Sequence, residues 1–305
     1  MPELSMGVNT CFAVKRWPEA AVWAELVADR MGLSLVQHSL DLVDLTAPAA
    51  EAMAAAEAVR AACAARGLVL HSTFTGLAAY SSNLLLDPDA SARRRALDWY
   101  RRAIDWTAAC GGRATGGHVG AYSVTDWHDA RRRKALGDEL REHLADLAGY
   151  AHRAGLEYLM VENLAAAREP STMDGIRELL DDGGPSRVPV RLCLDVGHPV
   201  VPGTTGEERD PYAWLRQMAA LAPVIQLQQG DAAADHHWPF TEQTNAVGRI
   251  AADRVLDALD ASDASAIALV LEVIPPFEED DDRVVADMAA SAQYWRRALA
   301  ARTAG

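Results

Sequence analysis

The sequence predicts an α/β chain of the (β/α)8 TIM-barrel class, on three observations. Short apolar stretches alternate with longer amphipathic ones from end to end. Eight such pairs fit into 305 residues at about 38 residues per unit, a comfortable length for a barrel with long loops. No G-x-G-x-x-G follows the first apolar stretch, as a doubly wound dinucleotide fold would require. No linker or internal repeat interrupts the alternation, so residues 1–305 read as one domain.

Strands are expected at 6–11, 33–38, 68–73, 113–118, 156–162, 190–195, 224–229 and 267–273, each a run of apolar or β-branched residues bounded by turn formers. Helices are expected between them at 18–31, 47–66, 90–110, 129–154, 171–181, 211–221, 252–260 and 282–300. Pro18 suits a first helical turn, Gly32, Gly67 and Gly155 suit helix exits, and Pro170-Ser171-Thr172 suits an N-terminal cap. Segment 47–66 is rich in alanine because alanine costs least in a helix. The acidic run 278–282 is placed to cap the last helix, and the basic stretches 93–95 and 131–134 read as exposed helix faces.

Composition removes several function classes. With Lys+Arg 29 against Asp+Glu 43 the net charge is −14, a field that repels nucleic-acid phosphates and anionic lipid. Cys11, Cys63, Cys110 and Cys193 form no C-x-x-C pair, so the expectation is reduced thiols in a cytosol. The N-terminus lacks a basic region followed by an apolar one, and no apolar run approaches the ~18 residues of a bilayer span. A cytoplasmic protein with no membrane partner is expected.

In such a barrel the chemistry gathers at the C-terminal ends of the strands. Strand five ends in Glu162-Asn163, strand six runs Asp195-Val196-Gly197-His198, strand seven carries Gln226, Gln228 and Gln229, and strand eight ends in Glu272. Three carboxylates buried there without a partner would each cost several kcal/mol, so a compensating cation is expected. Glu162, Asp195 and Glu272 offer hard oxygen ligands, and Gln228 could add a carbonyl oxygen; alternation places Gln226 on the same face. This donor set suits Mn²⁺ first, with Mg²⁺, Co²⁺ or Zn²⁺ as alternatives. His198 is expected to hydrogen-bond substrate.

The motifs V-E-N, C-L-D-V-G-H, Q-L-Q-Q-G-D and L-E-V, in that order, resemble the xylose isomerase-like TIM barrels, a superfamily of sugar isomerases and epimerases with an apurinic endonuclease branch. The longer strings N-T-C-F-A-V-K-R-W-P-E, H-S-T-F-T-G-L-A-A-Y, A-T-G-G-H, R-D-P-Y-A-W-L, H-W-P-F-T-E and Q-Y-W-R-R-A-L resemble its D-erythrulose 1-phosphate 3-epimerase branch. The resemblance implies a Glu, Asp, His, Glu metal set, which falls on Glu162, Asp195, Gln228 and Glu272; the third position departs from the pattern and leaves Gln228 or His237 as the ligand. It also implies a homo-oligomer by analogy. The acidic charge sets the endonuclease branch aside.

Inverting a carbon beside a ketone needs an acid/base group on each face, and Glu162 and Glu272 are the expected pair, working through a cis-enediolate. The same site could interconvert ketose and aldose, and a non-catalytic sugar-binding barrel is the rival of another class. A small-molecule sugar or sugar phosphate is the expected partner. Lys15, Arg16 and Arg168 are candidates to meet a phosphate, His71 and His118 to meet substrate at the mouth, and Phe12, Trp17 and Trp238 to wall the pocket.

Overall fold

The computed structural model describes residues 1–304. Eight parallel strands, β1 (Glu3–Asn9), β2 (Leu35–Ser39), β3 (Val69–Phe74), β4 (Ala114–Gly117), β5 (Tyr158–Glu162), β6 (Val190–Asp195), β7 (Val224–Leu227) and β8 (Ala266–Leu271), close in sequence order, β8 returning to β1. The connections carry α1 (Ala20–Glu25), α2 (Ala49–Ala65), α3 (Ala90–Cys110), α4 (Val124–His128), α5 (Ala130–Ala154), α6 (Met173–Arg177), α7 (Pro211–Met218), α8 (Glu242–Asn245), α9 (Ala252–Asp260) and α10 (Asp281–Ala304). The expected (β/α)8 barrel is therefore the fold.

Side-chain parity divides the strands into two faces. Leu192, Leu194, Ile225, Leu227, Leu269 and Leu271 face outward into the helical layer. Met160, Cys193, Val224, Ala268 and Val270 belong to a separate cluster that fills the barrel interior. Two residues beyond members of this inner cluster, on the same face, stand Glu162, Asp195, Gln226 and Glu272. The sequence thus builds a dry floor and, on it, a polar upper layer. Gly116 permits the β4–β5 approach: its φ is 143°, and a Cβ there would lie 2.0 Å from the Met160 carbonyl oxygen.

Several boundaries differ from expectation for local reasons. β1 ends at Asn9 because the Asn9 side chain accepts the Cys11 N–H at 2.9 Å and starts a turn of 3-10 helix, Thr10–Ala13. Helix 18–31 starts at Ala20 and widens to a π turn over Leu26–Met31, which ends on left-handed Gly32. Helix 171–181 shrinks to α6, capped by Thr172; Gly175 weakens it, and an antiparallel bridge from Asp181 to Val190 turns the chain into β6 instead. Arg93 is not exposed: it is buried against Glu139, with Nε–Oε1 at 2.8 Å and Nη2–Oε2 at 2.9 Å. The acidic run does cap the last helix, Asp280 accepting the Arg283 N–H at 2.9 Å. All four cysteines are buried free thiols, and among the described residues no helix is long and apolar enough to cross a membrane.

His38, on the outward face of β2, lies between the indoles of Trp23 and Trp106, with ring centroids 5.6 and 5.0 Å away. Burial without a charged partner pushes its imidazole down to about 3. The folded state then refuses a proton that the unfolded chain binds below about 6.5, so acid favours unfolding. From about pH 6.5 down to about 3, His38 should cost about 1.4 kcal/mol of stability per pH unit, with no contribution above that window. Urea unfolding of His38→Phe across this range should show a shallower acid slope by one proton; an unchanged slope would refute the assignment.

Candidate active site

Glu162 and Asp195 are the last residues of β5 and β6, and Gln228 and Glu272 follow the last residues of β7 and β8. All four are at most 3% exposed. Glu162 Oε2 accepts the Tyr80 hydroxyl at 2.9 Å, while Oε1 lies 3.4 Å from His198 Nδ1. Asp195 Oδ1 accepts the main-chain N–H of Gly197 at 2.6 Å and of His198 at 3.2 Å, and the Gln228 amide at 3.0 Å. Glu272 Oε1 accepts from Asn9 Nδ2 at 3.0 Å and Gln226 Nε2 at 2.8 Å.

The other oxygen of each carboxylate is bare. Glu162 Oε1, Asp195 Oδ2 and Glu272 Oε2 are buried and have no hydrogen-bond partner. Ligand atoms of Glu162, Asp195 and His198 lie within 4.8 Å of one another, as do those of Asp195, His237 and Glu272, and those of His198, Asp235 and His237. Three buried carboxylate oxygens without hydrogen bonds, two of them within 3.7 Å of an imidazole nitrogen, form a donor set that fits a hard divalent cation.

Electrostatics follow from this crowding. Burial raises Glu162 to about 8, with Asp195 and Asp235 adding to the effect against the opposing His198. Burial also raises Glu272 well above the carboxylate range, reinforced by Glu162 and Asp195. Burial opposes charge on His198, yet Asp195, Asp235 and Glu162 together hold it well above the ordinary imidazole value. Asp235 is held well below its usual range despite burial, by His198 and His237.

At the third position, left by the sequence to Gln228 or His237, the two side chains lie together. Gln228 turns its carbonyl oxygen to the His237 N–H at 2.6 Å and gives its NH2 group to Asp195 and, at 2.8 Å, to Asp235. A backbone N–H can only donate, so this contact fixes which end of the amide faces the carboxylates. The carboxamide acts there as a donor rather than an oxygen ligand. The imidazole comes from His237, at φ 51°, in the loop after β7, which is folded back by the paired Gln229 and Trp238 main chains. Its Nε2 is 3.1 Å from Asp235 Oδ2 and its Nδ1 is 3.7 Å from Glu272 Oε2. Gly197 makes room for this arrangement, since a Cβ there would meet Gln228 Cδ at 2.3 Å.

His198 lies in the cup, its Nδ1 donating to the Asn163 carbonyl at 2.7 Å and its Nε2 lying 3.4 Å from Asp235. His71 does not. It sits mid-strand in β3, at the point where the β2–β3 register slips by one residue, hydrogen-bonded to Ser72 Oγ at 3.2 Å. Burial and the neighbouring Arg113 push it down to about 4. His118 lies behind Tyr80, ring centroids 4.6 Å apart, with Nε2 3.2 Å from Glu169. Arg168 is exposed and donates to the Tyr122 carbonyl at 2.6 Å, and Arg16 is paired with Asp281. Lys15 is exposed, its ammonium 4.0 Å from the Phe277 ring centroid. Phe12 is core; Trp238 stacks on His236, ring centroids 3.9 Å apart.

Over the cup lies a cavity of about 200 Å³, lined by Cys11, Phe74, Gly76, Leu77, Tyr80, Asp235, His237, Glu272 and Ile274. No Lys or Arg is among these residues; Lys15 lines an adjoining cavity that shares Leu77. Periodicity singles out neither Tyr80, on a 3-10 turn over Leu77–Ser81, nor Asp235, in an irregular loop. Asp235 carried one faint signal, its place two residues before His237.

The closed barrel carries buried carboxylates and imidazoles at its strand ends, and comparison with known proteins gives its class. The chain belongs to the xylose isomerase-like TIM barrel family, whose model matches residues 26–297. It is an isomerase of that family. A relative, D-erythrulose 1-phosphate 3-epimerase of Brucella abortus (strain 2308), is 27% identical over 297 residues, covering 96% of this chain and 95% of the relative. A provisionally named xylose isomerase of Rhodospirillum rubrum superposes with a TM-score of 0.88 at 36% identity, over 96% of this chain and 99% of that one. D-psicose 3-epimerase of Clostridium cellulolyticum shares the fold, with a TM-score of 0.68 at 14% identity over 97% and 99% of the two chains.

Asn163 ties the two central strands at the site: its Oδ1 accepts the Asp195 N–H at 2.8 Å and its Nδ2 donates to the Asp195 carbonyl at 3.0 Å. Asn163→Ala strands a buried donor and a buried acceptor and should cost about 3 kcal/mol, measured by urea unfolding. A loss within about 0.5 kcal/mol would mean that the clamp is dispensable.

Proposed function

We propose that the chain is a divalent-metal-dependent ketose 3-epimerase, and that its substrate is a short ketose phosphate of the D-erythrulose 1-phosphate kind. The observation that carries the reading is the set of three bare, buried carboxylate oxygens, on Glu162, Asp195 and Glu272. These three residues, with His237 taking the position expected of Gln228, would hold the ion. When bound, the dication, Mn²⁺ in the first instance, draws charge from the ketose oxygens and so acidifies the neighbouring C–H bond.

The chain's own residues supply the rest. Glu162 removes the C3 proton and Glu272 returns one to the opposite face, the electron pair resting meanwhile in a cis-enediolate; exchange of roles runs the reaction backwards. Burial raises the proton affinity of both carboxyls. Tyr80 fixes the orientation of Glu162 through one of its oxygens. The His198 imidazolium gives a donor for a substrate oxygen, and Phe74, Leu77 and Ile274 keep water from the enediolate. Lys15 is the phosphate partner that the adjoining cavity offers. The Brucella relative supports the choice of substrate.

Solvent-deuterium exchange followed by NMR tests the reading on D-erythrulose 1-phosphate, then on free tetruloses, pentuloses and hexuloses, with Mn²⁺ or Co²⁺ supplied. Deuterium at C3 with inversion is expected. Label at C1 or C2 with an aldehyde product would make the enzyme an aldose–ketose isomerase instead, and no exchange with any ketose would leave a sugar-binding barrel. Glu162→Gln and Glu272→Gln should each lower exchange about a thousand-fold, and chelation of the metal should abolish it until Mn²⁺ is returned.

A further inference from the structure

Beside the carboxylates lie three buried carboxamides for which the proposed chemistry has no use. Asn9, Gln37 and Gln226, from β1, β2 and β7, are each 0% exposed. Asn9 Nδ2 donates to Gln37 Oε1 at 3.0 Å and to Glu272 Oε1 at 3.0 Å. Gln226 Nε2 does the same, at 3.0 and 2.8 Å. The four groups form a closed ring in which two amide nitrogens bridge two oxygens.

The orientation of every member can be deduced. The Cys11 N–H must donate, so it fixes Asn9 Oδ1 and turns Nδ2 toward Glu272. Because Asn9 Nδ2 donates to Gln37, the oxygen of Gln37 faces the ring, and its nitrogen points away to Ser72 Oγ at 3.3 Å. Gln226 must then face the ring with its nitrogen, and its own oxygen is left buried without a partner. Packing alone gives no reason for this arrangement, since Met or Leu would fill the same space without buried amides to satisfy. The charged group that the ring serves is Glu272. Two donors on Oε1 restrict the carboxylate to one rotamer, and Oε2 is the oxygen left facing the site.

We infer that Asn9, Gln37 and Gln226 are positioning residues for Glu272, a carboxamide ring that presents its Oε2 to the metal and substrate. The inference rests on the proposed reading of the site and is separable from it by experiment. Mn²⁺ affinity, measured by calorimetry on the full chain without substrate, is the first readout. Gln226→Met removes one donor at nearly constant volume and should weaken Mn²⁺ binding about 10-fold. With whichever ketose exchanges, it should lower kcat about 10- to 100-fold with KM within about twofold.

A double-mutant cycle separates positioning from general packing. In a Glu272→Gln background the same substitution should change Mn²⁺ affinity less than about twofold, because the group it orients is gone. Equal losses in both backgrounds would overturn the proposal in favour of a packing role. Gln37→Met, which meets Glu272 only through the two bridging amides, should reproduce a smaller loss with the same background dependence, and it serves if Gln226→Met fails to fold. Wild-type affinity and kcat in the folded variants would also overturn the proposal while leaving the reading of the site standing. A wild-type protein that binds no Mn²⁺ and exchanges no ketose would bring down that reading, and the proposal with it.

Discussion

Everything at the top of this barrel answers to one constraint: carboxylates buried side by side repel one another and have lost their water. Glu162, Asp195 and Glu272 are each covered almost completely, and a single such charge in a dry site costs several kcal/mol unless something offsets it. The chain offsets part of the cost with fixed donors on one oxygen of each group. Tyr80 serves Glu162, the main chain of the loop after β6 serves Asp195, and two side-chain amides serve Glu272. The remaining oxygens are where strain is concentrated, and where a cation or a proton has most to offer.

The barrel makes this affordable because the two tasks are segregated along its axis. The inner apolar cluster and the leucines outside it do the packing. Parity then delivers the next inward residue of each strand to a common layer, so that groups more than a hundred residues apart in sequence meet without any loop having to guide them. Loops add to what the strands place: Tyr80 meets Glu162, His237 meets Glu272, and Asp235 meets His198 of the neighbouring loop.

That division explains what could be read in advance. The strands and most helices were legible because alternation and amphipathic period are local signals, and Glu162, Asp195 and Glu272 were legible because each breaks an apolar run at a strand end. The role of Gln228 was not, since which atom of an amide faces inward depends on a backbone N–H nine residues later. His71 was misplaced by a register slip between β2 and β3, which shifts a side chain without altering the sequence pattern. The expected helix at 171–181 was cut short by a bridge with β6, a tertiary contact overriding local propensity. Asn9 and Gln37 drew no attention because a polar residue on a strand is commonplace until its neighbours are known.

The seam between β1 and β8 joins the first strand to the last along six residue pairs, Glu3↔Ala266 to Val8↔Leu271. Asn9 stands just past one edge of that seam and Glu272 just past the other, so the hydrogen bond between them cannot form until the cylinder is shut. A chain emerging from synthesis carries its first carboxamide long before the acid it will hold, and a half-built sheet has no seat for that acid. The seating of Glu272 is therefore coupled to completion: an unfinished or opened barrel leaves that acid without its partner on the first strand.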